Sequence, residues 1–289
     1  MFILTYNIKF KELDSKIELL NINDIYNVFY ESPLEITTDE YGYGYLEKEV
    51  NDIDIKVAYD EDKSSLNIFI EKVNSILDST CISIEEVNNS YEEYDFPDVH
   101  INDEWMLSSS TDAKKDKSKN IISFRPQGAF GTGLHETTQD LLNIILSKID
   151  LTNKKVLDIG TGSGILSIAS SIAGASKVTA IDIRDVRDEV MLNSELNGLY
   201  NIEVLIGNAL NNEVNINDKF QWIFINIGGE ETELFMNFIK DHLDEGGNLL
   251  VSGLVEWSFN KVKDIVENNG FTLQDKYQSN EWITAIFHQ

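Results

Sequence analysis

Apolar residues along this chain follow two rhythms, and the places where the rhythm switches outline its elements. Phe2–Phe10 has the period of a half-buried strand through Ile3, Leu4, Tyr6 and Ile8. Asp14–Tyr30 shifts to helical spacing through Ile17, Leu20, Ile25, Val28 and Phe29. Pro33 to Thr38 reads as a short strand, the Tyr41-Gly42-Tyr43-Gly44 repeat as a turn, and Ile53–Val57 as strict two-residue alternation. Ser64–Asp78 is helical again through Leu66, Ile70, Val73, Ile76 and Leu77, and Cys81–Val87 alternates once more. The order β-α-β-β-α-β predicts a small α+β, ferredoxin-like domain over residues 1–88. Such a scaffold does not by itself name what it recognises.

Residues 89–125 read as a connector. It holds the acidic SYEEYDFPD, an aromatic patch near Trp105, and the polar run SSSTDAKKDKSKN, which lacks apolar periodicity and predicts an exposed loop. Residues 126–289 then form an α/β block. KKVLDIGTGSGILSIASSIAGASKVTAIDI is an apolar strand, a glycine-rich turn, a helix of small residues and a second apolar strand, the βαβ unit of a parallel sheet. Strands near Ile202–Ile206, Trp222–Asn226 and Leu249–Ser252 alternate with helices near Glu230–Leu243 and Glu256–Asn269. Phe271–Tyr277 and Trp282–Phe287 close the chain as a predicted edge hairpin. Trp222 and Trp257 read as core residues, with shaping of a ligand pocket as the alternative.

Charge changes the picture in one respect. The net charge is −27, and residues 1–113 hold 26 acids against 7 lysines, whereas the remainder holds 24 acids against 16 bases. Such a front half repels nucleic acid and anionic membrane, and it either attracts a basic partner or only keeps the chain soluble. No apolar run reaches membrane-span length, and MFILTYNIKFKELDSK lacks a secretory pattern. The single Cys81 cannot form an internal disulfide, and its neighbours Ile82 and Ile84 predict a buried strand thiol. These features together predict a cytoplasmic protein.

The candidate chemistry sits at the glycines. In Asp158-Ile159-Gly160-Thr161-Gly162-Ser163-Gly164 the glycines permit a sharp turn and close approach of a ligand to the backbone. Asp182, ending the next strand, has the position from which a carboxylate accepts both hydroxyls of a ribose. Nicotinamide-binding turns favour G-x-G-x-x-G, whereas this turn is G-x-G-x-G, and no Walker lysine follows it. His135, in FRPQGAFGTGLHETT, has no second histidine or cysteine at ligand spacing, so no metal site is expected. It reads either as a residue bonding the start of the helix that follows or as part of a ligand loop.

Taken together, the glycine turn and the acidic strand end resemble motif I and its partner in class I S-adenosylmethionine-dependent methyltransferases. FGTGLHETT directly before a helix and then motif I resembles the F-G-T-G-x-H-x-T-T signature of the PrmA family, which methylates amino groups of ribosomal protein L11. The resemblance covers roughly Arg125 to the C-terminus and includes GSGILSIA, LNG and the NI of Asn226-Ile227. It implies a Rossmann-like seven-stranded sheet with an antiparallel edge hairpin, behind a substrate-recognition domain. It also implies S-adenosyl-L-methionine as cofactor, no metal, and a basic protein partner such as L11, with no direct contact to nucleic acid or membrane.

Carried over residue by residue, the resemblance assigns cofactor binding to Phe130, Gly131, Thr132, Gly133, His135, Thr137, Thr138, Asp158, Gly160, Thr161, Gly162, Gly164, Asp182, Ile183, Asn208, Ala209 and Asn226. It assigns orientation of the attacking amine to Asn226, with Ile227 beside it. The bland reading of Asn226 is a cap for the helix near Glu230. The chain departs from the family at Arg184, where an acid or asparagine is usual, and at Asn208, where aspartate is common. It departs again in IGGEE after Asn226, which lacks the usual alanine and proline. These departures keep two alternatives open: a class I methyltransferase with a different protein or small-molecule substrate, and a non-catalytic S-adenosylmethionine-binding protein.

Overall fold

Strand β1 (Phe2–Lys9) runs through the middle of a four-stranded sheet in the computed structural model, which describes residues 1–87, 96–109 and 118–289. The chain divides into two compact units, Met1–Thr37 with Tyr43–Tyr94, and Thr38–Gly42 with Asp95–Gln289.

In the first unit β1 is followed by α1 (Leu13–Ile22), β2 (Val28–Tyr30), β3 (Leu34–Thr38), β4 (Tyr43–Glu47), β5 (Asp52–Tyr59), α2 (Leu66–Leu77) and β6 (Ser83–Glu86). The sheet order is β2-β5-β1-β6 with every neighbour antiparallel, the ferredoxin-like arrangement that the sequence predicts. Its core is the inner row Leu4, Tyr6, Ile55 and Val57 packed against Leu20, Val73 and Leu77 of the two helices.

Three local readings change. The helix predicted to reach Tyr30 stops at Ile22, because Asp24 turns into the left-handed region at φ 64° and Val28 then pairs with Val57. The second strand of the sheet is therefore Val28–Tyr30. Pro33–Thr38 contributes instead to a separate two-stranded ribbon with β4, and that strand takes up Tyr43 and Gly44 from the predicted turn. Cys81 is not a buried strand thiol. It precedes β6, is partly buried, and its Sγ donates to the Ser83 carbonyl, while Ile82 and Ile84 are exposed. The reason is that β6 pairs with β1 alone and lies at the sheet edge.

In the second unit, β7 (Val99–His100), β8 (Trp105–Ser108) and β9 (Asn120–Ser123) form a small three-stranded sheet where the sequence suggested only a connector. Most of SYEEYDFPD and the centre of the polar run fall outside the described residues. The chain continues through α3 (Glu136–Ser147), β10 (Lys155–Ile159), α4 (Ile165–Ile172), β11 (Lys177–Asp182), α5 (Arg187–Leu196) and β12 (Ile202–Ile206). It ends with β13 (Phe220–Asn226), α6 (Gly229–His242), β14 (Leu243–Val255), α7 (Phe259–Asn268), β15 (Thr272–Ser279) and β16 (Trp282–His288).

These strands build a seven-stranded sheet ordered β12-β11-β10-β13-β14-β16-β15, parallel up to β14 and antiparallel across the final hairpin. Both faces are covered, by two core clusters centred on Val156–Phe224 and on Leu157–Ile225. That double burial is why β10 and β13 read as continuous apolar runs. Trp222 belongs to the first cluster, as expected, but Trp257 is half exposed and does not pack there. Strand order reverses between β10 and β13, so the carboxyl ends of these two strands flank the crevice where open α/β sheets bind ligands. Among the described residues, no helix is long and apolar enough to cross a membrane.

Candidate active site

At the end of β10 the backbone enters a turn in which Gly160, Gly162 and Gly164 all hold positive φ, at 70°, 54° and 78°. These positions reject a side chain on space as well as on conformation. A Cβ on Gly160 would meet Ile227 Cδ1 at 2.6 Å, and one on Gly162 would meet the Phe130 carbonyl oxygen at 2.5 Å. Gly160 N and Thr161 N both donate to the Ile181 carbonyl, which fastens the turn to the end of β11.

The carboxylates on either side of the turn brace it. Asp158 is buried, and its Oδ2 accepts from Thr161 Oγ1 and from Ser167 Oγ, each at 2.7 Å. Burial pushes the Asp158 carboxyl above the ordinary aspartate range, with the two hydroxyl donors opposing and the Asp182 charge adding to the rise. Asp182 Oδ2 accepts from Gly162 N at 2.9 Å and its Oδ1 from Arg184 N at 2.9 Å. Each Asp182 oxygen keeps lone-pair capacity for a further donor. Ile183 beside it is exposed, at 72%.

A folded-state pKa above the unfolded one makes the native protein bind more protons than the unfolded chain. The Asp158 contribution to stability is therefore fullest below the ordinary aspartate range and falls as pH rises from there to the raised folded value. Urea unfolding followed between pH 4 and 7 is expected to show this decline, and Asp158→Asn to flatten it. An unchanged slope in the variant would rule out the buried carboxyl as its source.

The loop from the FGTG stretch lies directly on the glycine turn. Ser163 N donates to the Phe130 carbonyl at 2.9 Å, and Ser163 Oγ donates to the Gly131 carbonyl at 2.9 Å. Gly131 and Gly133 have φ of 98° and 91°, and a Cβ on Gly133 would meet Leu107 Cδ2 at 2.4 Å. Thr132 is half-buried, whereas the Phe130 side chain is exposed. His135 is the N-cap of α3, where Nδ1 accepts from Thr137 N and lies 2.8 Å from Thr137 Oγ1. The capping reading of His135 thus describes this structure, and the imidazole packs edge-on against Trp282 with ring centroids 4.8 Å apart. Thr138 is buried, yet its hydroxyl has no hydrogen-bond partner among the described residues.

The remaining predicted residues lie at neighbouring strand ends. Asn208 Oδ1 accepts from Leu210 N and caps a short 3-10 turn beginning at the buried Ala209. Asn226 ends β13 and does not cap α6, whose N-cap is Gly228 without any side-chain cap bond. Gly253, at φ 75°, marks where Asn226 and Ile227 converge. A Cβ there would lie 3.3 Å from the Ile227 carbonyl oxygen and 3.4 Å from Asn226 Oδ1. Two acceptors, Asn226 Oδ1 and the Ile227 carbonyl oxygen, thus lie beside Gly253 at the carboxyl end of β13.

Sequence reasoning did not single out Ser163, Ser167, Glu189, Asn193, Asn197 or Gly253. Polar residues four apart on α5 were the visible signal for Glu189, Asn193 and Asn197. Gly253 had none, because its significance depends on a bend within β14. Among the described residues, no group of three or more His, Cys, Asp or Glu is placed to hold a metal ion. The group that fits here is an adenosyl ligand. Three left-handed glycines bend the backbone sharply at the carboxyl end of β10, Asp182 Oδ2 accepts from Gly162 N beside them, and Thr138 carries a buried hydroxyl with no hydrogen-bond partner among the described residues.

Comparison with known proteins agrees with this geometry. A family model described as ribosomal protein L11 methyltransferase (PrmA) matches residues 8–289. A ribosomal protein L11 methyltransferase of Streptococcus pneumoniae (strain P1031) is 32% identical over 227 residues, covering 78% of this chain and 70% of the relative. The protein of the same name from S. pneumoniae strain 70585 is 31% identical over 256 residues, covering 88% and 78%. The crystal structure of a ribosomal protein L11 methylase from Lactobacillus delbrueckii subsp. bulgaricus superimposes with a TM-score of 0.59 at 28% identity, over 66% of this chain and 98% of that one.

Proposed function

The chain belongs to the ribosomal protein L11 methyltransferase (PrmA) family, and from that membership we propose that it methylates amino groups of ribosomal protein L11 in the cytoplasm. It is an S-adenosylmethionine-dependent methyltransferase with the class I fold. The observation that carries the site assignment is the seating of Phe130 and Gly131 on the glycine turn, beside Asp182.

In this reading Gly160, Gly162 and Gly164 supply the left-handed conformations with which the turn presents its backbone to the cofactor. Asp182 accepts its ribose hydroxyls, Ile183, Asn208 and Ala209 flank its base, and Phe130–Gly133 with Thr138 close over it. Asp158 and Thr161 hold the turn in shape and His135 with Thr137 fixes the start of α3. The first unit, with 19 acids against 7 lysines, receives the basic substrate.

S-adenosylmethionine supplies a methyl group already activated by its sulfonium, so the protein's task is placement. A substrate lysine begins near pKa ~10.4 and attacks only as the neutral amine. A desolvated pocket lowers that value, and Asn226 Oδ1 with the Ile227 carbonyl accepts the amine N–H groups so that the lone pair points along the reaction axis. Of the departures from the family, Arg184 lies against the ribose acceptor, its Nε 3.8 Å from Asp182 Oδ1, whereas Asn208 caps its own short turn and IGGEE follows Asn226.

Incubation with methyl-labelled cofactor and total ribosomal protein is expected to label a single protein of L11 size. Label in other proteins or in small molecules would move the assignment to a different substrate. Absence of label with retained cofactor binding would make the chain a binding protein.

A further inference from the structure

The segment that carries the Phe130–Gly133 loop is held by a helix in an unusual manner. Along residues 123–129, alternate backbone groups bond to side chains of α5 and the residue that follows it. Ser123 N donates to Asn197 Oδ1 at 2.9 Å, and Asn197 Nδ2 donates back to the Ser123 carbonyl at 2.7 Å. Arg125 N donates to Asn193 Oδ1 at 2.7 Å, and Asn193 Nδ2 returns a bond to the Arg125 carbonyl at 3.1 Å. Gln127 N and Ala129 N donate to the two carboxylate oxygens of Glu189, at 2.8 and 3.2 Å.

The intervening residue faces the other way, with Phe124 N on the Ser108 carbonyl and its ring in the core. Glu189, Asn193 and Asn197 stand four apart, so one face of α5 presents three polar groups in a row. Their spacing along the helix, about 6 Å, is close to the two-residue repeat of an extended chain, about 6.6 Å. The row therefore acts as a substitute strand edge. Glu189 and Asn193 are buried, so an unmade bond here would leave a desolvated polar group unpaired.

We propose that Glu189, Asn193 and Asn197 are positioning residues: their side-chain ladder fixes the register of residues 123–129 and so holds the Phe130–Gly133 loop in its cofactor-binding place. They do so without touching the cofactor. The ladder also ties the loop to Asp182, since α5 begins five residues after it. A one-residue slip would turn Phe124 out of the core and carry Phe130 away from Ser163. The proposal rests on the assignment of that loop to the cofactor, and the two fail separately in the following experiment.

Amide hydrogen exchange on the cofactor-free full chain reads the ladder itself. Asn193→Leu and Glu189→Gln are each expected to raise exchange at Arg125, Gln127 and Ala129 by at least about ten-fold. Calorimetry with S-adenosylmethionine reads the consequence, an expected ten-fold or greater loss of affinity, with Asn193→Asp intermediate because it keeps the acceptor for Arg125 N. Val266→Ala, in the fully buried row of α7, serves as a control that lowers the melting temperature. The control is expected to leave both the exchange at 125–129 and the affinity unchanged.

Unchanged exchange in the ladder variants would overturn the proposal, as would an equal loss of affinity in the Val266→Ala control. Faster exchange with undiminished affinity would overturn the link to the cofactor. Failure of the unaltered protein to bind S-adenosylmethionine would instead remove the loop assignment on which the proposal stands.

Discussion

Gly162→Ala is expected to weaken S-adenosylmethionine binding by at least about 100-fold while the protein stays folded. Three costs act at one atom. The left-handed conformation at φ 54° costs a residue with a Cβ about 1–2 kcal/mol. The added methyl would sit 2.5 Å from the Phe130 carbonyl oxygen, which is backbone and cannot rotate away, so turn and loop must separate. Separation breaks the Ser163 N bond to that carbonyl and disturbs the Gly162 N bond to Asp182, and a hydrogen bond to a charged group contributes about 1.5–3 kcal/mol. A loss of ~2.8 kcal/mol already corresponds to 100-fold. Calorimetry on the purified variant measures it, with circular dichroism to confirm the fold, and a change below ten-fold would mean that the turn is not the cofactor's seat.

The second large effect is expected at Asn226. Asn226→Ala removes the side-chain acceptor that faces Gly253 beside the Ile227 carbonyl. Loss of one well-placed polar contact in a water-excluded site typically lowers turnover about 100-fold. Cofactor affinity should hold within about three-fold, because the glycine turn, Asp182 and the FGTG loop are untouched. The useful measurement is therefore the split between turnover and cofactor affinity. If both fall together, Asn226 supports the cofactor; if neither falls, the amine is oriented elsewhere. Asn226 does not cap α6, so a drop in turnover cannot be put down to a lost helix cap.

Much of the second unit was legible because local chemistry and tertiary context agree there. The glycines at 160, 162 and 164 are needed for the conformations they adopt, and a buried parallel strand leaves an unbroken apolar run that few other structures tolerate. The first unit was less legible in its details. Its β-α-β-β-α-β succession followed from the alternation of periods, but Val28 and Phe29 fit a helical repeat as well as a strand. Only their pairing opposite Val57 and Lys56 settled the matter. Cys81 misled for a related reason: Ile82 and Ile84 are apolar, but Ile84 lies on an edge strand and Ile82 just before it, and both side chains stay exposed. Trp257 likewise carries a core-like side chain at a half-exposed position.

The sequence by itself determined the α/β class of the larger unit and singled out the glycine turn proposed as the cofactor's seat. These depend on periodicity and on backbone conformations that few residues accept. Only the tertiary structure decided how the parts of the site hold one another. Nothing local reveals that Ser163 grips Phe130 and Gly131, that Asp182 fastens Gly162, or that Glu189, Asn193 and Asn197 stand in for a strand edge. Each of these joins residues far apart in the chain, and a hydrogen bond across such a distance exists only once packing has brought both partners to the same place.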